Sequence, residues 1–218
     1  MKQSNVHFRE IQHSDYKALE KIIRDTWNYE RFCSPNSADR MSKLFLASCL
    51  ANQTFTCVAE RDGEAVGIIM GKNEKKHRTP IRYAIRQFGA FATLFCTKEG
   101  RQVFKFFYGI DKLDRALLAQ SGQVFDGELA FFAVRSDQRG TGIGKELFNR
   151  LLDYLKSQSI INFYLYTDST CNFGFYEHQG MKRIGEQKYN LQPYSDEDVQ
   201  FFLYGYNLEK ADNHEWLE

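Results

Sequence analysis

A mixed α/β sheet flanked by helices is the fold class that this 218-residue sequence predicts, on three observations. Short β-rich runs and stretches of helical apolar spacing alternate along the chain. A Gly-rich turn joins one such run directly to an amphipathic helix. Apolar residues make up 43% of the chain, enough at this length for a full core without disulfides or a structural metal.

The elements follow in order. Val6 to Ile11 alternates as a short strand, and Ser14 or Asp15 caps a helix with Leu19, Ile22, Ile23 and Trp27 on one face. Pro35 breaks that pattern, and a second helix is predicted from about Ala38 to Ala51, with Met41, Leu44, Phe45 and Ser48 at helical spacing. Thr54 to Glu60 and Glu64 to Met70 are β-rich and joined by Arg61-Asp62-Gly63, a hairpin signal. The stretch 72–122 opens with a charged turn and Pro80, then carries two amphipathic helices, one with Ile85, Phe88, Ala92 and Phe95 and one over Lys98 to Ser121. Val124 to Val134 is a strand, followed by the Gly-rich turn and a helix with Ile143, Leu147, Leu151 and Leu155 every four residues. Ile161 to Thr167 is a strand and Asn172 to Gln179 a short helix ended by Gly180. Lys182 to Leu191 and Val199 to Leu208 are the last strands, joined by a turn around Pro193. No linker-like break interrupts the order, so one domain over 1–218 is expected, with 72–122 as a helical insertion.

Charge is nearly balanced, 29 Lys+Arg against 28 Asp+Glu, for a net +1. That argues against disorder and against nucleic-acid binding by bulk charge. The balance is unevenly spread: residues 72–122 hold 11 bases and 4 acids, and 186–218 hold 8 acids and 2 bases. Solvated helix faces account for such charges in the simplest case. No apolar run approaches the ~20 residues of a membrane span. Met1 to Asn5 has no apolar signal core, so a cytoplasmic protein without a membrane partner is expected. The five cysteines, Cys33, Cys49, Cys57, Cys96 and Cys171, fit neither a zinc site nor a disulfide framework, and no metal is expected. The closing Leu217 and Glu218 carry no weight, as a cloning scar would read the same way.

The segment Arg139-Gly140-Thr141-Gly142-Ile143-Gly144-Lys145 carries the chemistry. Its glycines let a backbone approach a ligand, the helix start offers free N–H groups, and Arg139 and Lys145 add charge, so an anion site for phosphate or pyrophosphate is predicted. A P-loop would need Gly and Ser/Thr where Arg139 and Glu146 stand. A dinucleotide fingerprint counted from Gly140 would end in Gly where Lys145 stands.

With R-x-x-G-x-G over Arg139 to Gly144, the sequence resembles the GNAT superfamily of acetyl-CoA-dependent N-acetyltransferases. A second likeness lies at Cys171 to Met181, similar to the family's F-Y-x-x-x-G-F ending, with Met181 where Phe is usual. The resemblance is close over Glu128 to about Gly185 and looser elsewhere. It implies a mostly antiparallel sheet with a helical insertion before the central strand, and acetyl-CoA as co-substrate. By resemblance, Arg139, Gly140, Thr141, Gly142, Ile143, Gly144 and Lys145 bind the CoA pyrophosphate. The backbone of Phe132, Ala133 and Val134, on the strand Glu128 to Val134, pairs with the pantetheine arm. Asn172 is a candidate for the pantetheine or adenylate arm, while Ser169 occupies the place of the family's commoner Asn.

An amine must lose a proton to attack a thioester, and the departing thiolate needs one. Tyr176, a phenol of ordinary pKa ≈ 10, is the candidate acid. Glu128, where several family members carry a catalytic Glu, is the candidate base, with Asp168 its rival. His178 is expected to face solvent, and Cys171 lacks a His partner for an acyl-enzyme role. The expected function is direct acetyl transfer from acetyl-CoA to a primary amine, of a small molecule first. A non-catalytic acyl-CoA-binding module and a protein amine as acceptor are the alternatives. The insertion is expected to wall the acceptor side or to fill core and dimer contacts, so a homodimer is left open.

Overall fold

The computed structural model describes residues 5–192 and 198–209. The turn placed around Pro193 and residues 1–4 lie outside the described residues, as do residues 210–218 at the end of the acidic C-terminal stretch, Leu217 and Glu218 among them. Strands β1 (Val6–Arg9), β2 (Phe55–Arg61), β3 (Glu64–Asn73), β4 (Gly127–Val134), β5 (Asn162–Asp168), β6 (Lys182–Asn190) and β7 (Asp198–Asn207) form one sheet in the order β1-β2-β3-β4-β5-β7-β6. Every neighbouring pair is antiparallel except β4 with β5. The mixed, mostly antiparallel sheet flanked by helices is therefore observed as predicted.

The helices are α1 (Tyr16–Trp27), α2 (Pro35–Ala51), α3 (Ile81–Phe95), α4 (Lys98–Ser121), α5 (Ile143–Ser157) and α6 (Gly174–His178). Pro35 does not break the chain before α2 but begins it, because a first-turn residue has no intrahelical N–H partner to lose. Asp15 precedes α1 without capping it through its side chain. Its buried carboxylate instead takes Arg9 at 2.7 and 2.8 Å and the Gln12 amide at 2.7 Å, tying β1 to the first helix. The β2–β3 turn has Asp62 and Gly63 both at positive φ, 53° and 81°, as a tight hairpin requires.

Helices α1, α2 and α3 cover one face of β2–β4 through Leu19, Ile23, Leu46, Leu50 and Leu94 against Val58, Ile68, Met70 and Phe131. On the opposite face α5 places Leu147 and Leu151 against Ala59, Val66 and Ile69. This approach is close: a Cβ at Gly71 would lie 2.3 Å from Leu151 Cδ1. The insertion before β4 consists of α3 and α4, and α4 bridges two clusters. Val103, Phe104 and Phe107 join the α1–α2 cluster, while Phe106, Leu113 and Leu117 pack on Tyr164, Phe201 and Leu203 of β5 and β7. Glu99 at the start of α4 is held by the Ser34 amide at 2.8 Å and by the Ser34 and Ser37 hydroxyls, which fixes the helix to the entry of α2.

Candidate active site

The parallel ladder between β4 and β5 is very short. Among the described residues it pairs Gly127 with Phe163 and Glu128 with Tyr164, although β4 runs on to Val134 and β5 to Asp168. Beyond Glu128 the two strands part. A bulge at Ala130 contributes, since Met70 faces Phe131 while Gly71 faces Leu129. The extra residue bends β4 and switches its faces, so that Leu129, Phe132 and Val134 join the α5 side while Phe131 and Ala133 join the α1–α2 side. The inner edges of β4 and β5 thus bound a wedge, with α4 lying across one face of it.

Glu128 sits at the apex of that wedge, with its side chain only 12% exposed. Lys72 Nζ approaches to 3.6 Å and Asn52, just past the end of α2, donates at 3.2 Å. Burial raises the Glu128 pKa; Lys72 opposes the rise and Glu74, itself ion-paired to Lys72 at 2.8 Å, adds to it. A carboxyl so placed binds a proton more readily than a solvated one, as a general base must.

At the open end of the wedge lies the Gly-rich turn. Gly140 and Gly142 have φ of 75° and 86°, a left-handed conformation that disfavours side chains. Gly142 occupies the N-cap position of α5 with no side-chain cap, and the Thr141 hydroxyl is turned away to the Gln138 carbonyl at 2.7 Å. The first-turn amides of Ile143, Gly144 and Lys145 therefore have no partner from a capping side chain, and Arg139 and Lys145 are exposed beside them. These donors and charges suit an anion such as a pyrophosphate. Gly144 lies where an added Cβ would be 3.5 Å from Phe132 and 3.8 Å from Phe175, so the turn, β4 and α6 converge.

Tyr176, on α6, is half-buried, with ring centroids of Phe132 at 6.3 Å and Phe175 at 5.6 Å. Burial, with the charges of Cys171 and Asp168 adding to it, raises its pKa and keeps the phenol protonated at neutral pH. Helix α6 begins at Gly174, later than the predicted Asn172, so Asn172 does not share a helical face with Tyr176. Its carbonyl instead receives the Phe175 amide at 3.1 Å in the entry turn, and its side chain is exposed. Asp168 closes the same turn, accepting the Thr170 amide at 2.7 Å and standing 3.7 Å from Cys171 Sγ. Burial pushes the Cys171 thiol up to about 11, which leaves little thiolate to carry an acyl group. His178 is exposed, its Nδ1 at the Gly174 carbonyl. Among the described residues no three His, Cys, Asp or Glu side chains group to hold a metal ion.

Sequence reasoning missed Asp114. It lies on α4 among Ile110, Leu113 and Leu117, an acid four residues from one apolar position and three from another, which was the available signal. Its Oδ1 is buried without a hydrogen-bond partner. Burial pushes its carboxyl up to about 8, with the charges of Asp111, Asp168 and Glu128 adding to the rise. The insertion thus contributes a carboxyl near those of β4 and β5.

Residues 105–181, from α4 through Met181, match the model of the acetyltransferase (GNAT) family. No curated protein sequence matches the chain. Several solved structures resemble it over nearly its whole length. An N-acetyltransferase from Staphylococcus aureus Mu50 is 18% identical, with 94% of this chain and 99% of that chain covered and a TM-score of 0.56. The ribosomal-protein-S18-alanine N-acetyltransferase from Escherichia coli is 13% identical, with 94% of each chain covered and a TM-score of 0.54. An aminoglycoside 6'-acetyltransferase type Ii is 17% identical, with 93% of this chain and 98% of that chain covered and a TM-score of 0.53. Such identities speak for the shared fold. The family model thus matches about a third of the chain, the part that carries β4, the Gly-rich turn, α5 and α6, and the solved structures share the fold around it.

Proposed function

We propose that this chain, as a single acetyltransferase domain over 1–218 with the 72–122 insertion, moves the acetyl group of acetyl-CoA to a primary amine of a small molecule. The observation that carries the reading is the wedge between β4 and β5, with a buried carboxyl at its apex and an uncapped, Gly-rich helix start at its mouth. The α5 amides with Arg139 and Lys145 hold the pyrophosphate, and the free edge of β4 over Phe132 to Val134 takes the pantetheine amides. Asn172, exposed at the mouth, is placed to meet the pantetheine or adenylate arm. The thioester then lies deep in the wedge, between Glu128 and Tyr176.

Glu128 takes the proton from the bound ammonium, directly or through a water, and the free amine attacks the thioester carbonyl. The tetrahedral oxyanion is held by β4 amides next to the bulge. As it collapses, the C–S bond breaks, and the Tyr176 hydroxyl protonates or hydrogen-bonds the CoA thiolate. No acyl-enzyme intermediate enters this scheme, and no step of it calls for a metal. Asp114, on the α4 side of the same region, is held protonated at neutral pH by burial, and the approach of an ammonium favours its ionised form, which then pairs with that cation.

A small acceptor is favoured over a protein segment because α4 is packed on both halves of the sheet, which walls the wedge on that face. The Escherichia coli relative, by contrast, is a ribosomal-protein alanine acetyltransferase. Thermal-shift titration tests the cofactor. Acetyl-CoA at ~100 times its Kd stabilises by ~2.7 kcal/mol, a rise of roughly 5–10 °C for a chain of this length. Acetyl-CoA and CoA should both give it, and NAD and ATP should not. A rise only with NAD or ATP, or with none, refutes the reading; a rise with acetyl-CoA opens the amine screen.

A further inference from the structure

Helix α3 buries one face and presents another. Tyr83 and Leu94 are buried, and Ala90 and Phe91 pack against the α1–α2 cluster, so the helix is firmly seated. Its outer stripe runs Ile81, Ile85, Phe88, Ala92, Phe95, at spacings of four and three residues. Ile81 is 76%, Ile85 65%, Phe88 73% and Phe95 39% exposed, an arrangement that solvent alone does not favour. The patch continues onto α4: Phe95 packs edge-on to Phe104 at 5.6 Å, and Phe104 stacks on Tyr108 at 6.1 Å, which is 49% exposed.

The charge along α3 and the residues flanking it in sequence has one sign. Between residues 75 and 98 stand Lys75, Lys76, Arg78, Arg82, Arg86 and Lys98, and no Asp or Glu. Arg78, Arg82 and Lys98 are exposed, and Lys112 sits over the Tyr108 ring at 5.6 Å. Of the nearby acids, Glu20 is engaged by Arg86 at 3.0 Å and Glu99 by the serines at the start of α2, while Lys75 pairs with Asp126 at 2.6 Å.

We propose that the outer face of α3, with Tyr108, docks the protein onto an anionic lipid surface. Apolar side chains of the stripe enter the headgroup boundary while the flanking bases meet lipid phosphate and carboxylate groups. A second copy of the chain fits less well, because pairing two such faces sets Arg78, Arg82 and Lys98 of both chains together with no acid on either helix to answer them. The expectation of no membrane partner rested on the lack of a spanning segment. Among the described residues no helix is long and apolar enough to cross a membrane, and surface docking requires none.

The test is co-sedimentation of the full chain with phosphatidylcholine vesicles, with and without phosphatidylserine, alongside its sedimentation behaviour in solution. Ile85→Ser with Phe88→Ser removes apolar contact, and Arg78→Gln with Arg82→Gln removes charge; all four positions are exposed, and an unchanged Tm confirms folding. Binding to the anionic vesicles should exceed that to neutral ones by at least about tenfold, and fall about tenfold with either pair of substitutions and with raised salt. Absence of wild-type binding to anionic vesicles overturns the proposal. So does binding indifferent to Ile85→Ser with Phe88→Ser, or self-association that those changes abolish without any vesicle binding.

Discussion

Replacing Asp114 by Asn should make the protein more stable, and increasingly so as pH rises. The side chains are nearly isosteric, so packing beside Leu113 and Leu117 is preserved while the buried charge is lost. An unfolded aspartate titrates near pH 3.9, whereas burial pushes the folded carboxyl up to about 8. The folded chain therefore binds this proton more tightly. Its contribution to stability is intact below about pH 4, erodes as pH climbs, and is gone above about pH 8. At about 1.4 kcal/mol per tenfold change in proton affinity, the ceiling is about 5–6 kcal/mol. Local relaxation and water entry reduce that, and about 2 kcal/mol is the expected gain for Asp114→Asn near pH 9, or roughly 4–8 °C in Tm. Differential scanning fluorimetry of both proteins from about pH 5 to pH 9 measures it. A Tm gap that stays flat across that range, or an Asn variant that melts lower throughout, refutes the account of Asp114 as a buried carboxyl without a partner. The same variant should bind acetyl-CoA unchanged and raise the amine KM, the pattern of a group retained for recognition at the expense of stability.

Glu128→Gln should remove the acidic limb of the kcat/KM profile. With its pKa raised, the wild-type base is protonated at low pH, and the rate climbs as pH passes that value; a profile with the same limb in the variant would assign the base elsewhere. Tyr176→Phe should lower kcat by about 10²-fold or more with little change in acetyl-CoA affinity, as loss of a general acid does, and stopped assays of CoA release read it. Gly71→Ala should destabilise by about 1–3 kcal/mol through overpacking, because its Cβ would fall 2.3 Å from Leu151 Cδ1; an unchanged Tm would show that Leu151 simply rotates away.

The sequence order of strands and helices was legible because apolar periodicity and turn residues are local signals. Residues Lys98 to Ser121, for example, are one helix both by spacing and in the structure. The Gly-rich turn was equally legible, since glycine at Gly140 and Gly142 answers a backbone conformation set within a few residues. Pro35 misled because proline is ambiguous: the same missing N–H that breaks a helix interior suits its first turn. The surroundings of Glu128 were not legible at all. Asn52 is 76 residues away in sequence and reaches it only because α2 ends above the wedge. Asp114 was visible as an acid in an apolar stripe, but its lack of a partner is a property of three elements meeting, not of α4 alone.

An unpaired strand edge ordinarily threatens a protein, because its free N–H and C=O groups recruit strands from other molecules into aggregates. The parting of β4 from β5 creates two such edges in the middle of the sheet instead of at its rim. They face each other, and α4 and α5 lie across the two faces of the gap. A foreign strand would need a constant spacing of about 4.8 Å to both edges, and a widening gap offers that at a single depth. On the proposed reading, the opening rejects another polypeptide strand while admitting a slender arm with only a few amides, so an exposed backbone edge need not be a seed for aggregation.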